Sequence, residues 1–202
     1  ALYPGSVKQN LRLGYFAGWF GMSCIFFWVI ETVQRFSSLN LPMSVVILGL
    51  FATAFGLYYA VTWGTAMWMR KHFGWRWVLL TPAVHVAMEN LSPALFPYYE
   101  GVTQYRVPAL IQLASVTGSM GLTYLLFWTN CTLAEGLFRK MEGRSQPWKL
   151  YGAMATTIGI VVAFGTWRHG AVEADLAQAR TIRAGIVQQN TTMEQRMGED
   201  VW

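Results

Sequence analysis

Residues 41–69 read LPMSVVILGLFATAFGLYYAVTWGTAMWM. No Asp, Glu, Lys or Arg interrupts this run, and none stands between Phe36 and Met69. About 20 such residues, rising ~1.5 Å each, already cross a bilayer's ~30 Å hydrocarbon core. The run is longer than that and crosses with tilt. It sets the class as an all-α integral membrane protein. Working outward, hydrophobic residues make up 54% of the 202 and charged residues only 12%, against about 25% charge in an ordinary soluble domain. The chain also holds 10 Trp, 9 Tyr and 12 Phe. Trp19, Trp28, Trp63, Trp68, Trp75, Trp77, Trp128, Trp148 and Trp167 read mostly as interfacial belt residues.

Four more apolar runs give a bundle of about five transmembrane helices. They lie near residues 13–33, 75–91, 118–138 and 150–167, beside the central run at 41–69. Between the third and fourth spans, YRVPALIQLASVTG is apolar but broken at Pro108. It reads as a re-entrant or interfacial segment, because broken backbone at membrane depth needs protein or water to cover it. Loop charge sets the sidedness. If the first span leaves the cytoplasm, nine basic residues fall inside: Lys8, Arg12, Arg70, Lys71, Arg76, Arg139, Lys140, Arg144 and Lys149. Up to the fifth span only Arg35 and Arg106 fall outside. The asymmetry fits five alternating spans. It puts the loop at 92–104 and everything after Arg168 on the outer side.

Acidic residues catch up with basic ones only after residue 167, which marks a boundary between a membrane domain, 1–167, and a tail, 168–202. In the tail, VEADLAQAR reads as a short polar helix. TIRAGIVQQN alternates Ile182, Ala184 and Ile186 on one face, as the first strand of a soluble α/β domain would. The basic residues sit in clusters beside apolar runs, a pattern that excludes nucleic acid as a partner. Cys24 and Cys131 fall inside apolar runs. They read as small core residues, with a disulfide between spans as the alternative. No His/Cys cluster has metal-ligand spacing, no glycine loop with a lysine cradles phosphate, and no nucleophile motif stands beside a base. The residues therefore call for no metal and no cofactor.

Intramembrane ionisable residues are costly and point to function by default. The stretch MENLSPALFPYYEGVTQY, residues 88–105, carries Glu89 and Glu100 among prolines and tyrosines. His85 stands four residues before Glu89, so the two share a helical face. With Glu31, Gln104 and Gln112, the polar groups gather toward the outer leaflet. The inner halves of the spans then look nearly bare. Each has a plainer reading. His85 serves as a packing residue, Glu31 reaches the interface, and Glu89 ties down the loop that follows it.

Four short elements stand in order: Glu89-Asn90-Leu91, Phe96-Pro97-Tyr98, Gly101-Val102-Thr103-Gln104 and Gly118-Ser119-Met120-Gly121. Together they resemble the membrane portion of bacterial apolipoprotein N-acyltransferases. The early LRLGYFAGWFGMSCIFFWV is similar to the span that follows the family's first two helices, and IRAGIVQQN to the opening strand of its nitrilase-like domain. Ser92 stands where the family usually has Arg, and Tyr98 where it has Trp.

The resemblance implies an enzyme of the bacterial inner membrane, multi-pass, with its C-terminal end periplasmic. It implies transfer of an acyl chain from a phospholipid donor, through a cysteine thiol, to the amino group of a diacylglyceryl-cysteine on a lipoprotein acceptor. The family's catalytic Glu, Lys and Cys belong to the nitrilase-like domain, so the resemblance implies no catalytic residue within these 202 and a chain inactive by itself. It makes this stretch a fragment or a reduced homologue. The portion present would shape a lipid vestibule from His85, Glu89, Phe96, Pro97, Tyr98 and Gln104, with membrane lipids as its other partners. Two other readings stay open. One is a non-catalytic membrane subunit packed against protein partners. The other is a small transporter using Glu31, His85 and Glu89.

Overall fold

The structure is a computed structural model that describes residues 5–37, 39–91 and 99–188. Its elements are α1 (Val7–Ile25), α2 (Val29–Phe36), α3 (Leu41–Phe73), a 3-10 turn (Gly74–Arg76), α4 (Trp77–Leu91), a second 3-10 turn (Glu100–Gln104), α5 (Pro108–Ile111), α6 (Ala114–Met141) and α7 (Trp148–Gln178). No strand occurs among the described residues. Two helical stretches are long and apolar enough to cross a membrane, Leu41–Leu91 and Trp148–Gln178. A third candidate is the α1–α2 pair, bent by 58°. The count of five expected from hydropathy is thus met only as two to three. α4 has 15 residues, about 22 Å of helix, less than a bilayer core. α6 carries Arg139 and Lys140 in its last turn.

Local chemistry sets the ends. Ser6 and Gln9 form a capping box at the start of α1, satisfying two orphan N–H groups. Asn40 caps α3 through Met43 N. Gly74, at φ 55°, takes the left-handed conformation that glycine adopts without penalty, and the chain reverses there. α4 then runs back along α3, so that Met69 meets Thr81 and Tyr58 meets His85. The first span, expected to be continuous from Leu13 to Val33, is broken after Ile25. Phe26 leaves the helix and packs its ring 5.0 Å from Phe51, beside Met22 and Leu48.

The packing is inside-out relative to a soluble domain. Phe16, Phe20, Leu50 and Leu57 face outward, while Ser44, Thr62, Thr81, Thr123 and Thr132 are buried. Cys131 is buried as expected, but Cys24 is exposed, and both are free thiols. Cys24 follows the outward face of α1, since Gly14, Gly18 and Met22 take the inward one. On α3 the facing stripe is Leu48, Ala52, Gly56, Ala60 and Gly64. Small residues every fourth position let helix backbones approach closely where hydrocarbon supplies no hydrophobic drive. A Cβ added at Gly14 would sit 2.7 Å from the Tyr59 carbonyl oxygen, and one at Gly64 would strike Leu11.

The helices are not bare at the end of α3 and α6 that holds Arg70 and Arg139. Glu135 in α6 is buried and accepts from Arg70 Nε at 2.9 Å, Arg139 Nε at 2.7 Å and Trp77 Nε1 at 2.8 Å. Arg70 also forks onto Glu142 at 2.8 and 3.0 Å and lies over the Phe138 ring. Around this carboxylate, Trp77, Val78, Trp128, Cys131 and Phe138 form the larger apolar core.

The chain divides into two compact units, residues 1–169 and 170–202. The polar helix expected near residues 172–180 is not separate: α7 continues without a break to Gln178. Thr181–Gln188 have no regular structure, and Ile182, Ile186 and Val187 are exposed. The first strand expected at 181–190 is therefore not seen in its described part. A strand is held by pairing, and no second strand stands among the described residues to pair with it.

Three outcomes follow for the purified chain in detergent. Gly14→Leu should lower unfolding stability by roughly 1–3 kcal/mol in a thermal melt, whereas Gly21→Leu, with nothing within 4 Å of its added Cβ, should leave it unchanged. Glu135→Ala strands two arginines and should cost about 3–5 kcal/mol; Glu31→Ala, which removes an exposed pair with Arg35, should cost under ~1 kcal/mol. Arg70, then Arg144, hold the Glu142 carboxyl below the ordinary carboxylate range. Its contribution is therefore full above about pH 4.3 and disappears as pH falls through the lowered value. Melting the Glu142→Gln variant across that range should give a flatter acid limb than wild type.

Candidate functional site

The end of α4 away from Glu135 meets the segment around the second 3-10 turn. His85 is fully buried. Its ring stacks on Phe127 at 3.5 Å and 19° and meets the Tyr58 hydroxyl, 3.1 Å from Nε2. The Glu100 carboxylate lies 3.4 Å from the same nitrogen and accepts from the Tyr59 hydroxyl. Glu89, one turn beyond His85, accepts the backbone N–H of Glu100 through Oε1 at 2.7 Å. That bond places an acid at the first residue of a helical turn, where free N–H groups favour negative charge. The other oxygen, Glu89 Oε2, is buried with no hydrogen-bond partner among the described residues.

Two glycines allow this docking. Gly101 donates its N–H to Thr123 Oγ1 at 3.0 Å. A Cβ there would sit 2.6 Å from Thr123 N and 2.8 Å from Ser119 O, so the turn lies flat on α6 only because residue 101 has no side chain. Gly118, at φ 66° and ψ −173°, breaks α6 near its start. Pro108 opens the four-residue α5 at its first position, where its missing N–H costs nothing.

Of the residues singled out from sequence, the structure brings His85 and Glu89 into one network. Gln104 ends the 3-10 turn, half-buried, and donates to Thr103 Oγ1 at 3.1 Å. Phe96, Pro97 and Tyr98 lie outside the described residues. Glu31 is on α2, paired with Arg35 at 2.6 Å and exposed, with no part in this network. Tyr58, Tyr59, Glu100 and Thr123 were missed. Their one advance signal was Glu100 itself, a second acid in the proline-rich stretch. Among the described residues no group of three or more His, Cys, Asp or Glu side chains could hold a metal ion. The arrangement supplies hydrogen-bond donors, two carboxylates and aromatic walls. Most of these groups are spent on one another, His85 and Tyr59 on Glu100 and Glu89 on the Glu100 N–H.

Comparison with known proteins gives the family. The chain is 26% identical over 201 residues to an apolipoprotein N-acyltransferase of Geobacter metallireducens, covering 96% of the chain and 38% of that protein. It is 32% identical over 117 residues to one of Shewanella oneidensis, covering 53% of the chain and 22% of that protein. It is 25% identical over 146 residues to apolipoprotein N-acyltransferase 2 of Leptospira interrogans, covering 72% of the chain and 23% of that protein. The chain thus spans well under half the length of the curated relatives it matches. No solved structure matches it. Residues 1–132, which include α1 to α5, the whole His85–Glu89 network and most of α6, match the apolipoprotein N-acyltransferase N-terminal domain, and the chain belongs to that family.

Proposed function

We propose that this chain forms the membrane part of an enzyme that moves an acyl chain from a phospholipid to the N-terminal diacylglyceryl-cysteine of a lipoprotein. Its residues 85–104 shape the mouth where the lipid is held. The observation that carries the reading is the half-used carboxylate of Glu89. One oxygen fixes the 3-10 turn, and the other is buried without a donor among the described residues. Buried polar groups are seldom left so. The free oxygen suits a donor brought by a ligand. Acylated substrates stay in the bilayer, since each buried CH₂ is worth about 0.8 kcal/mol, so a site that positions them belongs at the membrane end of the enzyme. Holding the reacting ester in register is a contribution to rate in its own right. The reacting Glu, Lys and Cys belong, by resemblance, to a nitrilase-like domain following the tail. Phe96, Pro97, Tyr98 and Gln104 complete the proposed mouth.

The same reading gives five spans in the bacterial inner membrane, with residues 1–167 as the membrane domain. The loop at 92–104 and the tail 168–202 then face the periplasm. Nine basic residues against two support this sidedness.

Two measurements check the proposal. In the full-length gene product, acyl transfer from phospholipid to a diacylated lipopeptide should fall at least tenfold for Glu89→Ala. It should stay near wild type for Leu50→Ala, a lipid-facing control. Equal activity in the two variants sinks the vestibule assignment. For sidedness, a Cys24→Ser background carrying Gln104→Cys should react with a membrane-impermeant thiol reagent added to spheroplasts, and one carrying Ser145→Cys should not. The reverse pattern inverts the topology.

A further inference from the structure

A second feature lies at the opposite end of the bundle. A groove of about 940 Å³ opens between the start of α4, the end of α6 and the start of α7. Its size falls in the range of small-molecule sites, roughly 300–1,000 Å³. Its lining is graded. Arg139, Gln146 and Lys149 stand at the turn between α6 and α7, and Leu79 and Trp128 form the wall that leads away from them. Trp128 is three turns of α6 from Arg139, roughly 16 Å by helical rise. On the facing side, Leu150 and Ala153 of α7 are apolar or small. One end is polar and cationic, and the depth is apolar, which is the shape of an amphiphile with its head at the turn.

The polar end is built in advance. Gln146 donates to the Gly136 carbonyl at 3.3 Å and accepts from the Tyr151 hydroxyl at 3.0 Å. Arg139 donates to Glu135 at 2.7 Å, and its far end reaches the Ser145 carbonyl at 3.5 Å. Pro147 is buried. Trp75 and Trp148 are exposed at the mouth, as indoles are at head-group level.

Charge selects the occupant. No carboxylate lines the groove. Lys149 is exposed and forms no ion pair among the described residues. A neighbouring cavity of about 460 Å³ shows the contrast. It is lined by Arg70 and Arg144 but also by Glu135 and Glu142, which already hold those arginines. It offers an anion little, while the groove offers an unpaired cation above an apolar channel. Basic pockets between transmembrane helices bind anionic head groups on this principle.

We propose that this groove holds an anionic phospholipid of the adjoining leaflet, its phosphate at Lys149 and an acyl chain along Leu79 and Trp128. The site lies at the end of the bundle away from His85 and Glu89, and it does not depend on the acyl-transfer reading.

The test is native mass spectrometry of the purified chain in detergent, titrated with phosphatidylglycerol or phosphatidylcholine. Only samples with unchanged helicity by circular dichroism are compared. The wild type should retain one phosphatidylglycerol at least fivefold more than phosphatidylcholine. Lys149→Glu should cut that retention about fivefold or more, given ~1 kcal/mol for each basic residue at a membrane surface. Ala153→Trp, which fills the groove, should remove the retained lipid. Lys71→Glu, the same charge change at the same end but on the other cavity, should leave retention within twofold. Equal retention of the two lipids overturns the site. So does an equal loss in Lys71→Glu and Lys149→Glu, or retention that survives Ala153→Trp. Lys149 is exposed, so its variant decides the matter even if Ala153→Trp does not fold.

Discussion

The buried carboxylate of Glu135 is the constraint on which the other contacts rest. A bare ion in that position would be destabilising by several kcal/mol. Here three donors from α3, α4 and α6 converge on it. α3 cannot slide against α6 without unpairing charge, nor α4 without stranding the buried Trp77 N–H. The tie sits at one end of the bundle, and the register it fixes is carried along α3 and α4 to the other. There Tyr58 faces His85, and Glu89 reaches the backbone of Glu100. An ion pair of this kind is weak evidence for stability against an apolar replacement, but breaking one partner is strongly destabilising. Its value here is geometric, since it specifies one alignment among several that apolar faces would tolerate.

The α1–α3 contact works by a different rule. Large side chains face outward and glycines inward, so association comes from close packing of backbone on backbone. The two modes divide the bundle. Polar ties position α3, α4 and α6, while a seam of small residues holds α1 to α3. Most of α7 is exposed, with only Val161 and Gly165 buried. A Cβ at Gly165 would strike the backbone of Ala109, which makes that glycine the point of close approach between α7 and α5.

Much of this was legible in the sequence, and what was missed has physical reasons. Hydropathy found the apolar helices because burial in lipid demands long uncharged runs. It could not settle their number, because α4 is short and α6 mixes its apolar residues with Ser, Thr, Gly and Asn. Glu89 stood out as an acid beside a proline-rich loop, and its partner followed from the fold alone. The tyrosines that enclose His85 lie 27 residues away in sequence or bind it through Glu100, and no local pattern announces such pairs. Glu135 and Arg139 did offer a signal, an acid and a base four apart on one helix face. The small-residue stripe at 52, 56, 60 and 64 was also there to read, but hydropathy counts alanine and glycine without asking which way they face. The strand expected in the tail is not seen in its described part, since alternation describes one strand and hydrogen bonding needs two.

The break at Gly118 has an electrostatic consequence. Because its backbone leaves helical geometry, the long stretch of α6 begins afresh at Ser119, and a helix start carries the equivalent of about half a positive charge. Gly101 rests on this start, against Ser119 and Thr123, and Gly101 is the neighbour of Glu100. The turn that carries Glu100, held by Glu89 through the Glu100 N–H, therefore rests on the start of a helix. A half-helix turned toward negative charge inside a bundle is the arrangement by which discontinuous membrane helices receive anionic groups. In this protein it is the turn at Gly101 that lies against that start.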